Sequence, residues 1–255
     1  MHNDYSYSFD NDLKYCYPGS SVLKNKLNIT NEHDLSVAER EISSLRMMEL
    51  EKKPMKGNLD FNHLKEIHYN IFKEIYEWAG QVRTVNISKG NVFCYYENIE
   101  SYADYIFNKL KEENYLMNAG KDAIFDRFSF YLSEINALHP FREGNGRSQR
   151  VFISYLAKVA GYELNFAEVS QKQMIELSVR AFNNGHEEYI NMFKKISSPI
   201  KAEGQMAFIT SIGLNPVHHN NKKTLEEISR NIDEYRNNID SQKGQIKTLN
   251  KSNER

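Results

Sequence analysis

Only two cysteines, Cys16 and Cys94, occur in the 255 residues. They are too few for a disulfide framework and show no metal-ligand spacing, so both are read as reduced thiols. An excess of charge of one sign is also missing: 33 Lys and Arg stand against 34 Asp and Glu, and the basic residues are scattered rather than blocked. That balance argues against non-specific nucleic-acid binding, which calls for a basic face or a pI above about 9. No apolar run approaches the roughly 18 residues of a membrane span. The start of the chain also lacks a charged-then-apolar leader. The expected setting is a bacterial cytoplasm, or a host cell reached through a specialised secretion system that reads other signals. What is present, 40% hydrophobic and 26% charged residues, suffices for an ordinary globular core. Such a core would take about 180 residues, leaving extensions.

Against this plain background one segment stands out, His139-Pro140-Phe141-Arg142-Glu143-Gly144-Asn145-Gly146-Arg147-Ser148-Gln149-Arg150. An apolar stripe at Phe125, Phe128, Leu132 and Ile135 marks a helix that delivers His139 at its end. Histidine is the side chain best poised to take a proton near neutral pH, so a hydroxyl nucleophile could be activated there. Gly144-Asn145-Gly146 permits backbone angles that point amide groups into one concavity, and an amphipathic helix follows from about Arg147, marked by Val151, Tyr155, Leu156 and Val159. Phosphate oxygens bind such helix starts well. Glu143 would repel phosphates by itself, but a hard divalent cation such as magnesium can bridge the two. Arg147 and Arg150 lie three apart and share a helix face, where forked donors suit phosphate oxygens. Phe141 is expected to point inward and anchor the loop.

These residues resemble the Fic family, whose motif HPFx(D/E)GNGRxxR is matched at every specified position. Further resemblance lies in Tyr17-Pro18-Gly19, in the segment from Ala38 to Leu50, in Tyr76-Glu77-Trp78-Ala79-Gly80 and in Ser88-Lys89-Gly90, spanning about residues 17–196 in all. The resemblance implies a mostly α fold, a Fic-type helical bundle with a β-hairpin flap over the active site. It implies transfer of AMP from ATP to a Ser, Thr or Tyr hydroxyl of a target protein, with pyrophosphate released. His139 would then be the general base, and Glu143 would hold Mg2+ at the phosphates. Gly144, Asn145 and Gly146 would form the anion hole, and Arg147 and Arg150 would contact the phosphate tail, Arg150 nearest the γ-phosphate. Arg142, Lys89 and Gly90 would also lie at the nucleotide. Doc-like relatives replace the first motif glycine and act as kinases on an inverted nucleotide, whereas Gly144 is retained here, which favours AMP transfer.

The other elements are read from periodicity. A stripe of Leu35, Ala38, Ile42, Leu45 and Met48 predicts a helix from Asp34 to Glu51 with Asp34 as its cap. Leu64, Ile67, Ile71 and Ile75 predict another behind Asp60, and Ile99, Tyr102, Ala103, Ile106, Phe107 and Leu110 a third behind Asn98. Ser170 to Gln173 fits a capping box, and Gly185 a helix stop. Between them, Val82 to Ile87 and Val92 to Tyr96 predict the strands of a hairpin whose turn is Ser88-Lys89-Gly90-Asn91. The edge of this flap could pair with an extended target segment. His63 and His68 read as packing or surface residues, and His218-His219 at most as a weak chelating pair.

Regulation is expected from a missing motif. Many Fic proteins restrain themselves with a helix bearing [Ser/Thr]xxxGlu[Gly/Asn], whose glutamate pairs with the second motif arginine. No Ser or Thr in this chain has Glu four residues later; Ser36 reaches Arg40 instead. The resemblance is therefore to the class silenced by a separate small antitoxin, whose glutamate would reach Arg150. The domain division expected is a 1–33 extension, a 34–196 Fic domain, a 197–223 linker and a 224–255 helical tail. In that tail Leu225, Ile232, Ile239 and Ile246 repeat every seven residues, a seam that could dimerise or dock back on the domain. The leading expectation is a magnesium-dependent protein adenylyltransferase, toxin or effector. The alternatives are a nucleotide-binding adaptor or a Fic enzyme using another nucleotide donor.

Overall fold

In a computed structural model the described residues are 14–214, apart from 90, 118 and 122. They form eight α-helices, two two-stranded sheets and short 3-10 turns. The heptad tail, the polar linker after residue 214 and His218-His219 lie outside the described residues.

The helices form where the apolar stripes predict them, with caps that differ in detail. α1 spans Glu32–Lys52, and its cap is Asn31, whose side chain accepts from the Asp34 amide at 3.0 Å, so Asp34 lies inside the first turn. The α1 stripe also differs from the expectation. Leu45 and Met48 are 51% and 50% exposed, while Leu35, Ser43 and Leu50 are buried. A serine on the inner face is explained by the site that α1 borders. α2 (Phe61–Phe72) is capped by Asp60 as expected, its Oδ1 accepting from the His63 amide at 2.8 Å. α3 (Ile99–Glu112) follows a 3-10 turn, and the Asn98 side chain makes no cap bond. α4 (Ile124–Leu138) and α5 (Asn145–Val159) pack on each other and form the centre of the core. Phe128, Ile135, Leu138, Phe152 and Leu156 are fully enclosed there. Burying each such side chain stabilises by about 1.5–3 kcal/mol. α6 (Gln171–Asn184) carries the Ser170–Gln173 capping box and stops at Gly185.

Three expectations of extent need correction. The hairpin is shorter than predicted: β1 is Ser88–Lys89 and β2 is Asn91–Val92, so two of the expected turn residues make up the whole of one strand and a third begins the other. The chain from Val82 to Ile87 is irregular because Arg83 turns inward and its guanidinium binds backbone carbonyls. The boundary expected after residue 196 also falls inside the packed body. Ser197–Pro199 is β4, antiparallel to β3 (Tyr162–Leu164), and it leads from α7 (Ile190–Ile196) into α8 (Ala202–Ile212). α8 lies on α5, where Gln205 donates to the Val159 carbonyl at 2.7 Å and the Phe208 ring meets Tyr155 edge-on at 5.3 Å. The expected 1–33 extension is likewise part of the body where it is described, with Tyr15, Val22 and Leu23 buried. No helix among the described residues is long and apolar enough to cross a membrane.

The loop between α4 and α5 is held from below by His68 of α2. Its ring stacks on Phe141 at 3.8 Å and lies 4.7 Å from Phe72. The Gly80 amide donates to Nδ1 at 2.8 Å, so Nδ1 carries the lone pair and Nε2–H donates to the Glu143 carbonyl at 2.9 Å. Burial lowers the His68 pKa to about 3, so the ring stays neutral. Because the unfolded histidine protonates near 6.5, stability from this group is present above that pH and is lost as pH falls towards 3. The upper limit is about 1.4 kcal/mol per pH unit. His68→Phe keeps the stack and removes both bonds. We expect it to cost about 2–3 kcal/mol at pH 7, from the orphaned amide and carbonyl, and to flatten the acid limb of the stability curve. Denaturant titrations between pH 7 and pH 4 check both effects.

Candidate active site

α4 ends and α5 begins within six residues, and this brings a base and an anion-binding helix start to one wall. His139 is the C-cap of α4 in the left-handed conformation, φ 43°. Its Nδ1 lies 3.1 Å from the Asn136 carbonyl. A carbonyl only accepts, so Nδ1 bears the proton and Nε2 the lone pair, the tautomer a general base requires. The Phe93 ring of the flap stacks on the imidazole at 3.7 Å, nearly parallel.

Gly144, φ 81°, is the N-cap of α5. A Cβ there would come within 2.3 Å of the Phe72 ring, so both the conformation and the space exclude a side chain. The Asn145 side chain is turned to the loop rather than to solvent: Oδ1 accepts from the Phe141 amide at 2.9 Å and Nδ2 donates to the Phe141 carbonyl at 2.8 Å. Its contribution to an anion would come from the backbone. The amides of Asn145, Gly146 and Arg147 precede the first intrahelical acceptor, and Ser148 is the first to bond back, to Gly144. The Gly144 amide donates instead to Glu143 Oε1 at 2.9 Å.

The two arginines differ. Arg147 donates to Ser43 Oγ at 2.9 Å and to Glu39 Oε1, lies 3.6 Å from Glu143 Oε1, and packs over the Phe72 ring. Burial opposes its charge, but Glu39 and Glu143 outweigh burial and raise its pKa. Tyr76 donates to the other oxygen of Glu39, so that carboxylate is fixed from two sides. Arg150 has no carboxylate partner among the described residues. Burial and the neighbouring Arg147 push its pKa down to about 10, leaving it cationic at neutral pH and short of negative charge.

These groups border one cavity of about 600 Å³. His139, Glu143, Gly144, Asn145, Gly146, Arg147 and Arg150 all line it. Glu39 and Ser43 of α1 close one side, and Met174, Ile175, Val179 and Phe182 of α6 form an apolar wall. Arg142 does not line this cavity. It is 3% exposed, with its guanidinium near Cys16 Sγ and over the Tyr15 ring, on the far side of the loop. Lys89 ends β1 on the flap, and Gly90 lies outside the described residues. A magnesium ion fits this donor set in one manner. The described residues hold no group of three or more His, Cys, Asp and Glu, so a cation beside Glu143 would take its remaining ligands from the nucleotide and water.

Sequence reasoning missed Glu39, Ser43 and Tyr76 as site residues, along with His68, Arg83 and Phe93. The signal for two of them was present: Glu39 and Ser43 follow buried Leu35 at four-residue steps, polar residues on an inward face. The roles of His68 and Arg83 rest on backbone partners, which leave no mark in sequence spacing.

The Fic/DOC family model matches residues 58–157. A probable protein adenylyltransferase of Sinorhizobium fredii, y4lH, is 41% identical over 170 residues, 66% of this chain and 87% of that protein. The protein adenylyltransferase VbhT of Bartonella schoenbuchensis is 38% identical over 177 residues, and that match covers 69% of this chain but 37% of VbhT. Among solved structures, the N-terminal Fic domain of a putative cell filamentation protein from Bartonella quintana, a VirB-translocated effector with bound ADP, superposes with TM-score 0.70 at 26% identity, covering 74% of this chain and 97% of that one. With its bundle, its motif loop and these likenesses in agreement, the chain belongs to the Fic/DOC family.

Proposed function

We propose that the cavity takes ATP and that the chain transfers AMP to a Ser, Thr or Tyr hydroxyl of a target protein, releasing pyrophosphate. The observation that carries this reading is the shared cavity, in which a histidine in base-competent tautomer faces the open amides of α5 and an arginine lacking negative charge. Nε2 of His139 takes the hydroxyl proton as the oxygen bonds to the α-phosphorus. The bond to the bridging oxygen breaks, and the charge that grows on the departing pyrophosphate meets the α5 amides, Arg147 and Arg150. Magnesium beside Glu143 would neutralise phosphate charge when bound. The apolar wall of α6 suits a flat base. The relatives named as adenylyltransferases and the ADP-bound neighbour support the same chemistry.

The target is read as docking an extended segment on the flap edge, which ends directly over His139 through Phe93. Regulation by a separate antitoxin is supported by Arg150: Glu39, the α1 carboxylate that lines the cavity, goes to Arg147. A partner helix bringing a glutamate to Arg150 would occupy the place of the γ-phosphate. The setting that goes with this partner is a bacterial cytoplasm; the likeness to a VirB-translocated effector supports delivery into a host as a second setting.

Incubation of the purified chain with magnesium and ATP, labelled at the α- or the γ-phosphate, tests the reading. Label is expected on protein, the chain itself or lysate proteins, from α-labelled ATP only. His139→Ala is expected to lower incorporation by about 10²–10⁴-fold while leaving binding of a non-hydrolysable ATP analogue within about threefold. Binding without transfer in the unmodified chain would instead support an adaptor, and label from the γ-phosphate a kinase. An inert chain that a removable restraint releases would count against an antitoxin-regulated enzyme. For the carboxylate behind Arg147, Glu39→Gln retains an acceptor and is expected to stay within about threefold of full activity. Glu39→Ala frees a buried guanidinium and is expected to raise the ATP KM by about tenfold, roughly one lost charge-assisted bond.

A further inference from the structure

Arg83 is 1% exposed and belongs to no part of the nucleotide cavity described above. Among the described residues its guanidinium meets no carboxylate by hydrogen bond. It donates through Nε to the His139 carbonyl at 2.9 Å, through Nη1 to the Val85 carbonyl at 2.7 Å and through Nη2 to the Cys94 carbonyl. Val85 and Cys94 are on the two legs of the flap, one before β1 and one after β2. The third carbonyl belongs to the catalytic histidine at the C-terminal end of α4, where helix carbonyls lack intrahelical partners and favour a cation. Two backbone bonds run alongside: the Arg83 amide donates to the Pro140 carbonyl at 2.9 Å and the Cys94 amide to the Ala137 carbonyl at 3.0 Å. The Phe93 ring, next to Cys94, completes the tie by stacking on His139. Three carbonyls in three directions match the planar fork of arginine; the single ammonium of lysine cannot reach all of them.

We propose that Arg83 is a positioning residue for the transfer, joining both legs of the flap to the backbone of His139 so that the target-docking edge sits at a fixed height over the imidazole. The idea rests on the reading of the flap as the target-docking edge, and it places specificity for the hydroxyl partly in a buried cation that touches neither substrate. Distance along the flap is then converted into distance from Nε2. A flap freed from Arg83 would still cover the cavity but would present the incoming hydroxyl at varying positions, and near-attack geometry is sensitive to shifts of about 1 Å.

The test uses the full chain with Arg83→Lys and Arg83→Met. Three quantities are compared with the unmodified protein: the affinity for a non-hydrolysable ATP analogue, amide hydrogen exchange across residues 85–96, and incorporation of AMP from α-labelled ATP into lysate proteins. We expect analogue affinity within about threefold, exchange in the flap at least tenfold faster, and incorporation at least thirtyfold lower. Analogue binding lost in step with incorporation makes Arg83 merely structural, and unchanged flap exchange overturns the tie. The unmodified protein supplies an arm that does not depend on the variants folding: the Arg83 and Cys94 amides must exchange as slowly as the core of α4, and open-loop exchange there sinks the proposal. If the unmodified chain transfers nothing, the proposed activity fails while the exchange result still judges the tie.

Discussion

The site depends on the junction of two helices. α4 must end in a left-handed residue and α5 must begin at one, with only residues 140–143 between them. A loop this short cannot hold its shape through side-chain burial alone, and polar bonds to its backbone supply the rest. Asn145 closes it on Phe141 in both directions, His68 takes the Glu143 carbonyl, and Arg83 takes that of His139. Each of these side chains is buried, so each bond is formed where water cannot replace it. The result is a loop whose backbone is tied to the core instead of to the surface.

Charge is distributed unevenly around that loop. Arg147 is matched by Glu39 and approached by Glu143, and Tyr76 holds Glu39 in place. Arg150 has none of this support among the described residues, and burial and Arg147 both act against its charge. One arginine is thereby tied into the wall, and the other meets no carboxylate among the described residues, although the two stand three residues apart on one helix face. The difference comes from α1, which reaches the first and leaves the second.

Much of this was legible in the sequence and some was not, for identifiable reasons. The motif named His139, Glu143, the glycine loop and both arginines as one group, and they line one cavity because the two helices meet across so short a loop. Arg142 was carried along by its neighbours, yet its guanidinium packs over the Tyr15 ring and it does not line the cavity. The stripe on α1 was misplaced because Glu39 and Ser43 occupy the inner face for the sake of the site, leaving Leu45 and Met48 outward. Functional demand overrode amphipathic pattern there. The boundary after residue 196 was misjudged because Ser197-Ser198-Pro199 has the composition of a linker; its pairing with β3 depends on a strand more than thirty residues earlier.

The approach of Phe72 to Gly144 carries a consequence for how such a chain can diverge. With only 2.3 Å between an added Cβ and the ring, the two positions are sterically coupled across different helices. Trimming the aromatic would relieve the contact but not the left-handed backbone of Gly144, φ 81°, which strains any side chain there whatever the space. Divergence at this position is therefore opposed twice, by a ring on α2 and by the glycine's own backbone, and relief of either one leaves the other in force.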